Sequence, residues 1–162
     1  MNDAEKGQLK QEIRRLIAGT EFEGHVFMVG GDVRDELMGL PVKDIDLCVD
    51  LPDGGIRLAR FITQEQGTYR KNIHPTLFPS YGIAKFHLAS APETEIECVQ
   101  TRKERYQFRD SRNPVTEFAS LAEDCLRRDL TINALYQDLS TGRIVDISGH
   151  GLHDLEHHII RT

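Results

Sequence analysis

Asp44 and Asp46 stand at alternate positions in the run DIDLCVD, residues 44–50, which reads as a strand. Side chains alternate faces along a strand, so the two carboxylates share one face, with Cα atoms about 6.6 Å apart by strand rise. Carboxylates this close repel unless a cation sits between them. A divalent metal is the natural occupant, and magnesium takes one or two carboxylates with waters and substrate phosphates. A polar strand end facing water explains the pair, taken alone, about equally well. The neighbourhood favours the metal. Gly30-Gly31 lie between an apolar strand and a helix start, where backbone N–H groups can approach an anion and the helix dipole assists. Arg34, one turn into that helix, can point back at the same anion, or it can pair with Asp35 or Asp32. Glycines for phosphates, an arginine and a carboxylate pair for the metal suit a nucleoside triphosphate. A third carboxylate is expected from TEIECVQTR, where Glu95 and Glu97 share a face. Glu97 is preferred because it lies deeper in the apolar stretch, where a glutamate needs a reason.

LRRDLTINAL, residues 126–135, is a second dense polar group. Read as helix, it places Leu126, Leu130 and Ala134 on one buried stripe, with Arg127, Arg128, Asp129 and Asn133 around it. A solvated face with local ion pairs would account for it. Beside a triphosphate, an arginine would act as a bidentate phosphate clamp, and an aspartate or asparagine could accept from ribose hydroxyls.

These groups need elements to hold them. Residues 3–18 have the period of a surface helix. HVFMVGG is a short strand, DVRDELMGL a helix of about two turns stopped by Gly39 and Pro41, and DIDLCVD a strand. GIRLARFITQEQG is an amphipathic helix with Gly67 at its end. GIAKFHLA and ETEIECVQTR read as strands joined by a turn near Ala91-Pro92. Residues 104–118 look polar and irregular. SLAEDCLRRDLTINALYQD reads as helix in one or two pieces, opened by a Ser120–Glu123 capping box. STGRIVDI gives a turn and a last strand, and His157-His158 a solvated helix face. The class is α/β or α+β, a mixed sheet of about five strands with flanking helices.

The length of 162 residues suits one domain spanning 1–162, with 1–22 as an N-terminal helical segment. No apolar run approaches the roughly 20 residues that span a bilayer, so no membrane partner is expected. The first twenty residues lack the apolar centre of a signal peptide. Cys48, Cys98 and Cys125 are scattered and odd in number, which fits a reducing cytoplasm and buried thiols. Net charge is −6, and nucleic-acid-binding domains usually lean basic. A local patch answers this, since residues 102–112 hold five basic and two acidic side chains.

VGGDVRDELMGLPVKDIDL, IECVQTRKERY, RRDLTINAL and GRIVDISGHGLHDLEHHIIRT together resemble, in order, the head domain of class II tRNA nucleotidyltransferases (CCA-adding enzymes) and bacterial poly(A) polymerases. The resemblance runs from about Val26 to Thr162 and implies the polymerase-beta-like nucleotidyltransferase fold. Position by position, it implies triphosphate contacts for Gly30, Gly31 and Arg34, and metal-binding for Asp44 and Asp46. Glu97 matches the third acidic position, and Arg128 and Asp129 match the family's arginine and aspartate near the nucleotide phosphates and sugar. Residues 104–118 match a flexible basic segment near the RNA end. The implied activity is Mg2+-dependent transfer of a nucleotide from ATP or CTP to an RNA 3′ end, that of tRNA foremost. The neck, body and tail that follow the head in the family have no counterpart in this sequence, and a base-selecting motif is missing with them. A stand-alone nucleotide-binding or regulatory module is the competing reading. Self-association through the surface that would meet a neck is also expected.

Overall fold

The computed structural model describes residues 2–42, 44–67, 74–105 and 115–162. In chain order the elements are α1 (Asp3–Ile17), β1 (Val26–Val29), α2 (Gly31–Leu37), β2 (Ile45–Val49), α3 (Gly54–Gly67) and β3 (Thr76–Phe78). There follow β4 (Ile83–Leu88), β5 (Ala91–Gln100), β6 (Arg102–Arg105), β7 (Val115–Phe118), α4 (Leu121–Leu126), β8 (Leu135–Asp138), β9 (Ile144–Asp146) and α5 (Gly151–Glu156). Seven strands form one sheet in the order β3-β4-β5-β2-β1-β8-β9, and β6-β7 make a separate ribbon. Only the β2–β5 pair is parallel among the described strands. A parallel pair needs a long crossover, and α3 lies within it.

Period 2 divides the sheet into two different faces. Val26 and Met28, Ile45 and Leu47, Phe86, Ile96 and Leu135 point into the main core beneath α1 and α3. Gly55 lets α3 lie flush on the sheet, since a Cβ there would stand 2.7 Å from the Cys98 carbonyl oxygen. The opposite face holds a smaller cluster, Phe27, Val29, Cys48, Cys125, Ala134 and Tyr136. The alternate residues of β2, β4 and β5, namely Asp46, Lys85, Glu95 and Glu97, share that face.

The expected elements through β5 form, with the β4–β5 turn at Ala89-Ser90 rather than Ala91-Pro92. Two strands beyond the expected five join the main sheet. One is β3, only three residues long. The other is β8, in the stretch read as helix. The Ser120–Glu123 capping box opens α4 as expected, but the helix stops at Leu126, and Leu130 is already extended. Thr131, Ile132 and Asn133 are weak helix formers, and they make a 3-10 turn before β8. The buried stripe therefore does not exist: Leu126 is 85% exposed, while Ala134 is buried. The ends of the stretch read as irregular are paired strands, β6 and β7; residues 106–114, with most of the basic segment, lie outside the described residues. His157 caps the end of α5 and stacks on His153, and His158 follows it at positive φ, so they are not one helix face. All three cysteines are buried and free. No helix among the described residues is long and apolar enough to cross a membrane.

Candidate active site

Asp46 and Glu97 are direct partners in the parallel β2–β5 register, and Lys85 faces Glu97 from β4. Asp44 precedes β2 by one residue. These side chains line an open cleft of about 210 Å³ with Glu95. Lys85 Nζ lies 2.7 Å from Glu95 Oε1 and 3.4 Å from Glu97 Oε2, so one ammonium serves two of the four carboxylates. The Asp46 carboxyl titrates above its ordinary range, because it is partly removed from water and because the charges of Glu97 and Asp44 oppose its ionisation. Among the described residues no three His, Cys, Asp or Glu side chains are gathered into a ready-made metal cluster. The donor set instead fits a cation that takes two carboxylates and completes its shell with waters and phosphate. A larger cavity of about 750 Å³ also borders Asp44, lined by Glu5, Glu12, Glu93 and Glu95. Its sign repels a polyphosphate, which leaves the arginine side as the approach for one.

That side begins at Gly30, the N-cap of α2, with φ 70° and ψ −136°, a conformation open to glycine and strained for other residues. A Cβ on Gly30 would stand 3.7 Å from Arg128 Nη1, and one on Gly31 would stand 3.5 Å from Arg34 Nη2. The two guanidinium groups thus flank the glycine turn. Arg34 does pair with Asp35, at 2.7 Å, but its Nη1 also donates to Asn133 Oδ1 at 2.8 Å. Asn133 Nδ2 donates in turn to Asp129 Oδ1 at 3.4 Å. Asp129 is exposed, and its Oδ1 also accepts from the Leu130 amide. The 3-10 turn bearing Asn133 is anchored from below. Thr131 Oγ1 donates to buried Asp154 at 2.6 Å, and Arg161 Nε donates to the same carboxylate at 2.8 Å. These bonds, the threonine's foremost, pull the Asp154 carboxyl down to about 2.

Three participants escaped sequence reasoning. Asp124 is fully buried and accepts from Arg127, Arg128, the Tyr136 hydroxyl and the Arg102 amide. Burial pushes its carboxyl up, but Arg128, then Arg127 and the Arg102 amide, outweigh that and hold it below the usual range. Asp124 therefore aims Arg128. Its i, i+4 spacing to Arg128 was the available signal. Lys85 was hidden in a strand pattern whose partner register could not be read. Asp32, considered only as a partner for Arg34, is buried and accepts from the Asp46 amide at 2.7 Å. Its carboxyl is pushed up to about 6 by burial, with the charges of Asp46 and Asp44 adding and the amide bond and Lys6 opposing.

Residues 26–161 match the family described as the poly(A) polymerase head domain. The chain is 37% identical over 139 residues to the A-adding tRNA nucleotidyltransferase of Aquifex aeolicus, covering 84% of this chain and 15% of that protein. It is 38% identical over 146 residues to nucleotidyltransferase lcsQ of Purpureocillium lilacinum, covering 82% of this chain and 24% of the relative. The chain thus spans a quarter or less of the length of these curated relatives. A solved tRNA nucleotidyltransferase, complexed with a primer tRNA and an incoming ATP analogue, superimposes with a TM-score of 0.63. The identity there is 31%, over 85% of this chain and 35% of that one.

Proposed function

We propose that this chain, which belongs to the poly(A) polymerase head-domain family, is one nucleotidyltransferase head that transfers a nucleotide from a nucleoside triphosphate to an RNA 3′ hydroxyl, that of tRNA foremost. One observation carries the reading: the arginine-flanked glycine turn and the acidic strands meet at one end of the sheet. Asp46 sits in register with Glu97, and its amide is bonded to Asp32, one residue after Gly31.

Asp44 and Asp46 would hold magnesium, which when bound lowers the pKa of the attacking hydroxyl and offsets charge on the triphosphate. The Gly30-Gly31 turn gives the phosphates close access to backbone. Arg34 and Arg128 clamp them from either side, and a guanidinium suits that task because its donors form a planar fork. Asp129, linked through Asn133 to Arg34, would accept from a ribose hydroxyl. Glu97, in register beside Asp46, would supply the third carboxylate. Relatives that bear names such as A-adding tRNA nucleotidyltransferase, and the tRNA complex, support RNA as the acceptor.

The test incubates the chain with labelled nucleotides, magnesium and a tRNA ending before its CCA, and sequences the product. Nucleotide binding without any extension would favour the regulatory-module reading instead.

Two results belong with this reading. Arg34→Ala and Arg128→Ala each weaken ATP binding by about 1.5–3 kcal/mol, the range for charged hydrogen bonds; calorimetry reads this, and unchanged affinity in both removes the clamp. The groups placed here recognise phosphate and ribose, which all four nucleotides share. ATP, CTP, GTP and UTP therefore bind within about a kcal/mol of one another, less than tenfold in affinity. A hundredfold preference in parallel titrations would reveal base-reading groups within these residues.

A further inference from the structure

The Asp46 amide lies where the sheet runs out of partners. β1 supplies rungs to Leu47, Cys48 and Val49, and then the chain leaves the strand at Gly30 and enters α2. One residue beyond the last rung, the Asp46 amide donates to Asp32 Oδ2 at 2.7 Å. Asp32 is only 8% exposed, although it stands in the first turn of a helix, where an aspartate could equally remain in water. It is buried beside two further carboxylates, an arrangement that electrostatics disfavours. The neighbouring cation comes from α1, ahead of the stretch that matches the family. Lys6, 4% exposed, donates to the Asp32 carbonyl at 3.4 Å and pairs with Glu36 of α2 at 2.6 Å. Lys6 thus ties down the backbone of Asp32, and one oxygen of the Asp32 carboxylate is spent on the Asp46 N–H.

We propose that Asp32 is a positioning residue: its carboxylate oxygen replaces the missing β1 rung and fixes the Asp46 backbone, and so sets how the Asp44–Asp46 pair presents its oxygens to a divalent cation. The proposal rests on the metal role given to that pair above. It joins the phosphate turn to the acidic strand through a single hydrogen bond, so that neither shifts alone. The acceptor oxygen is what matters, and the charge is not required.

Mn2+ serves as the probe, read by electron paramagnetic resonance on the full chain without nucleotide. Asp32→Asn keeps an oxygen in place and leaves Mn2+ affinity within about threefold of the parent. Asp32→Ala lowers it about tenfold or more, as removing a group that orients a metal ligand does. Amide exchange by NMR is the second readout. The Asp46 amide is protected in the parent and in Asp32→Asn, and exchanges at least about tenfold faster in Asp32→Ala, as loss of its acceptor requires. Rapid exchange of that amide in the parent, equal loss of Mn2+ in both variants, or parental Mn2+ affinity in Asp32→Ala each overturns the proposal. If Asp32→Ala does not fold, the parent and Asp32→Asn still decide it. A parent chain that binds no Mn2+ overturns the proposal along with the metal role. One that binds Mn2+ with a protected amide, yet transfers no nucleotide, overturns the enzymatic reading and upholds this one.

Discussion

Asp46→Asn loses nucleotide transfer by about a thousandfold or more and melts no lower than the parent chain. The first half follows from what a metal-binding carboxylate supplies. Lewis-acid stabilisation of developing charge contributes several kcal/mol, and about 4 kcal/mol corresponds to a thousandfold in rate. The second half follows from the environment of Asp46. Removal from water, Glu97 and Asp44 all raise its carboxyl in the folded chain. A carboxyl raised on folding favours the folded state fully below the unfolded value, about 3.9, and that contribution is lost as pH rises through the folded value. At pH 7.5 the ionised group is therefore a burden, and a neutral asparagine relieves it. The relief fades as pH falls through the raised folded value toward the unfolded one, about 3.9, as Asp46 in the parent takes up its proton. Primer extension with the tRNA substrate reads the first effect, and thermal unfolding at the two pH values reads the second. Transfer within tenfold of the parent would remove Asp46 from the metal site. A variant that is both inactive and markedly less stable would make the residue a structural one.

The acidic pair, the glycine turn and Arg34 were legible in the sequence because each is encoded within a few residues, by strand alternation and by the spacing of a single helical turn. The Glu97 preference rested on burial, and the β2–β5 register sets Glu97 directly beside Asp46. Register between strands some fifty residues apart is tertiary information, which is why Lys85 went unseen although it pairs with both Glu95 and Glu97. The stretch 126–138 misled for a different reason. Its leucines sit at helical spacing, but Arg127 and Arg128 are drawn back onto Asp124, Leu130 turns extended, and a strand follows. Tertiary pairing outweighed local period. What singled out Arg128 was the family resemblance, and the structure sets its guanidinium beside Gly30. What orients it is the buried carboxylate four residues earlier, an ordinary helical glutamate-or-aspartate position by pattern alone.

That carboxylate carries the largest stability effect expected in the molecule: Asp124→Asn costs about 3–5 kcal/mol, the range for removing one partner of a buried ion pair. Asp124 is fully buried, and both arginines reach it, Arg127 at 2.8 Å and Arg128 at 3.1 Å. Tyr136 donates its hydroxyl to the same oxygen that Arg128 uses, at 2.9 Å. An asparagine can accept one or two of these bonds but cannot balance two guanidinium charges. Its amide would add donors where only donors already point. The pH dependence has the opposite sign to that at Asp46. A carboxyl lowered on folding contributes stability above its unfolded value, about 3.9, and loses it as pH falls through the lowered folded value. Parent and variant should therefore differ fully at pH 7 and converge in acid below pH 4. Urea midpoints across that range measure the difference. Tyr136→Phe is the control, since it deletes two hydrogen bonds, one to Asp124 and one from Arg128, and leaves the charges paired, at about 2 kcal/mol. Function should follow the arginine: with Asp124 gone, Arg128 no longer faces the glycine turn in a fixed direction, and ATP affinity falls toward that of Arg128→Ala. A loss below about 1 kcal/mol would mean that the arginines find other partners, and that the orientation of Arg128 does not depend on this residue.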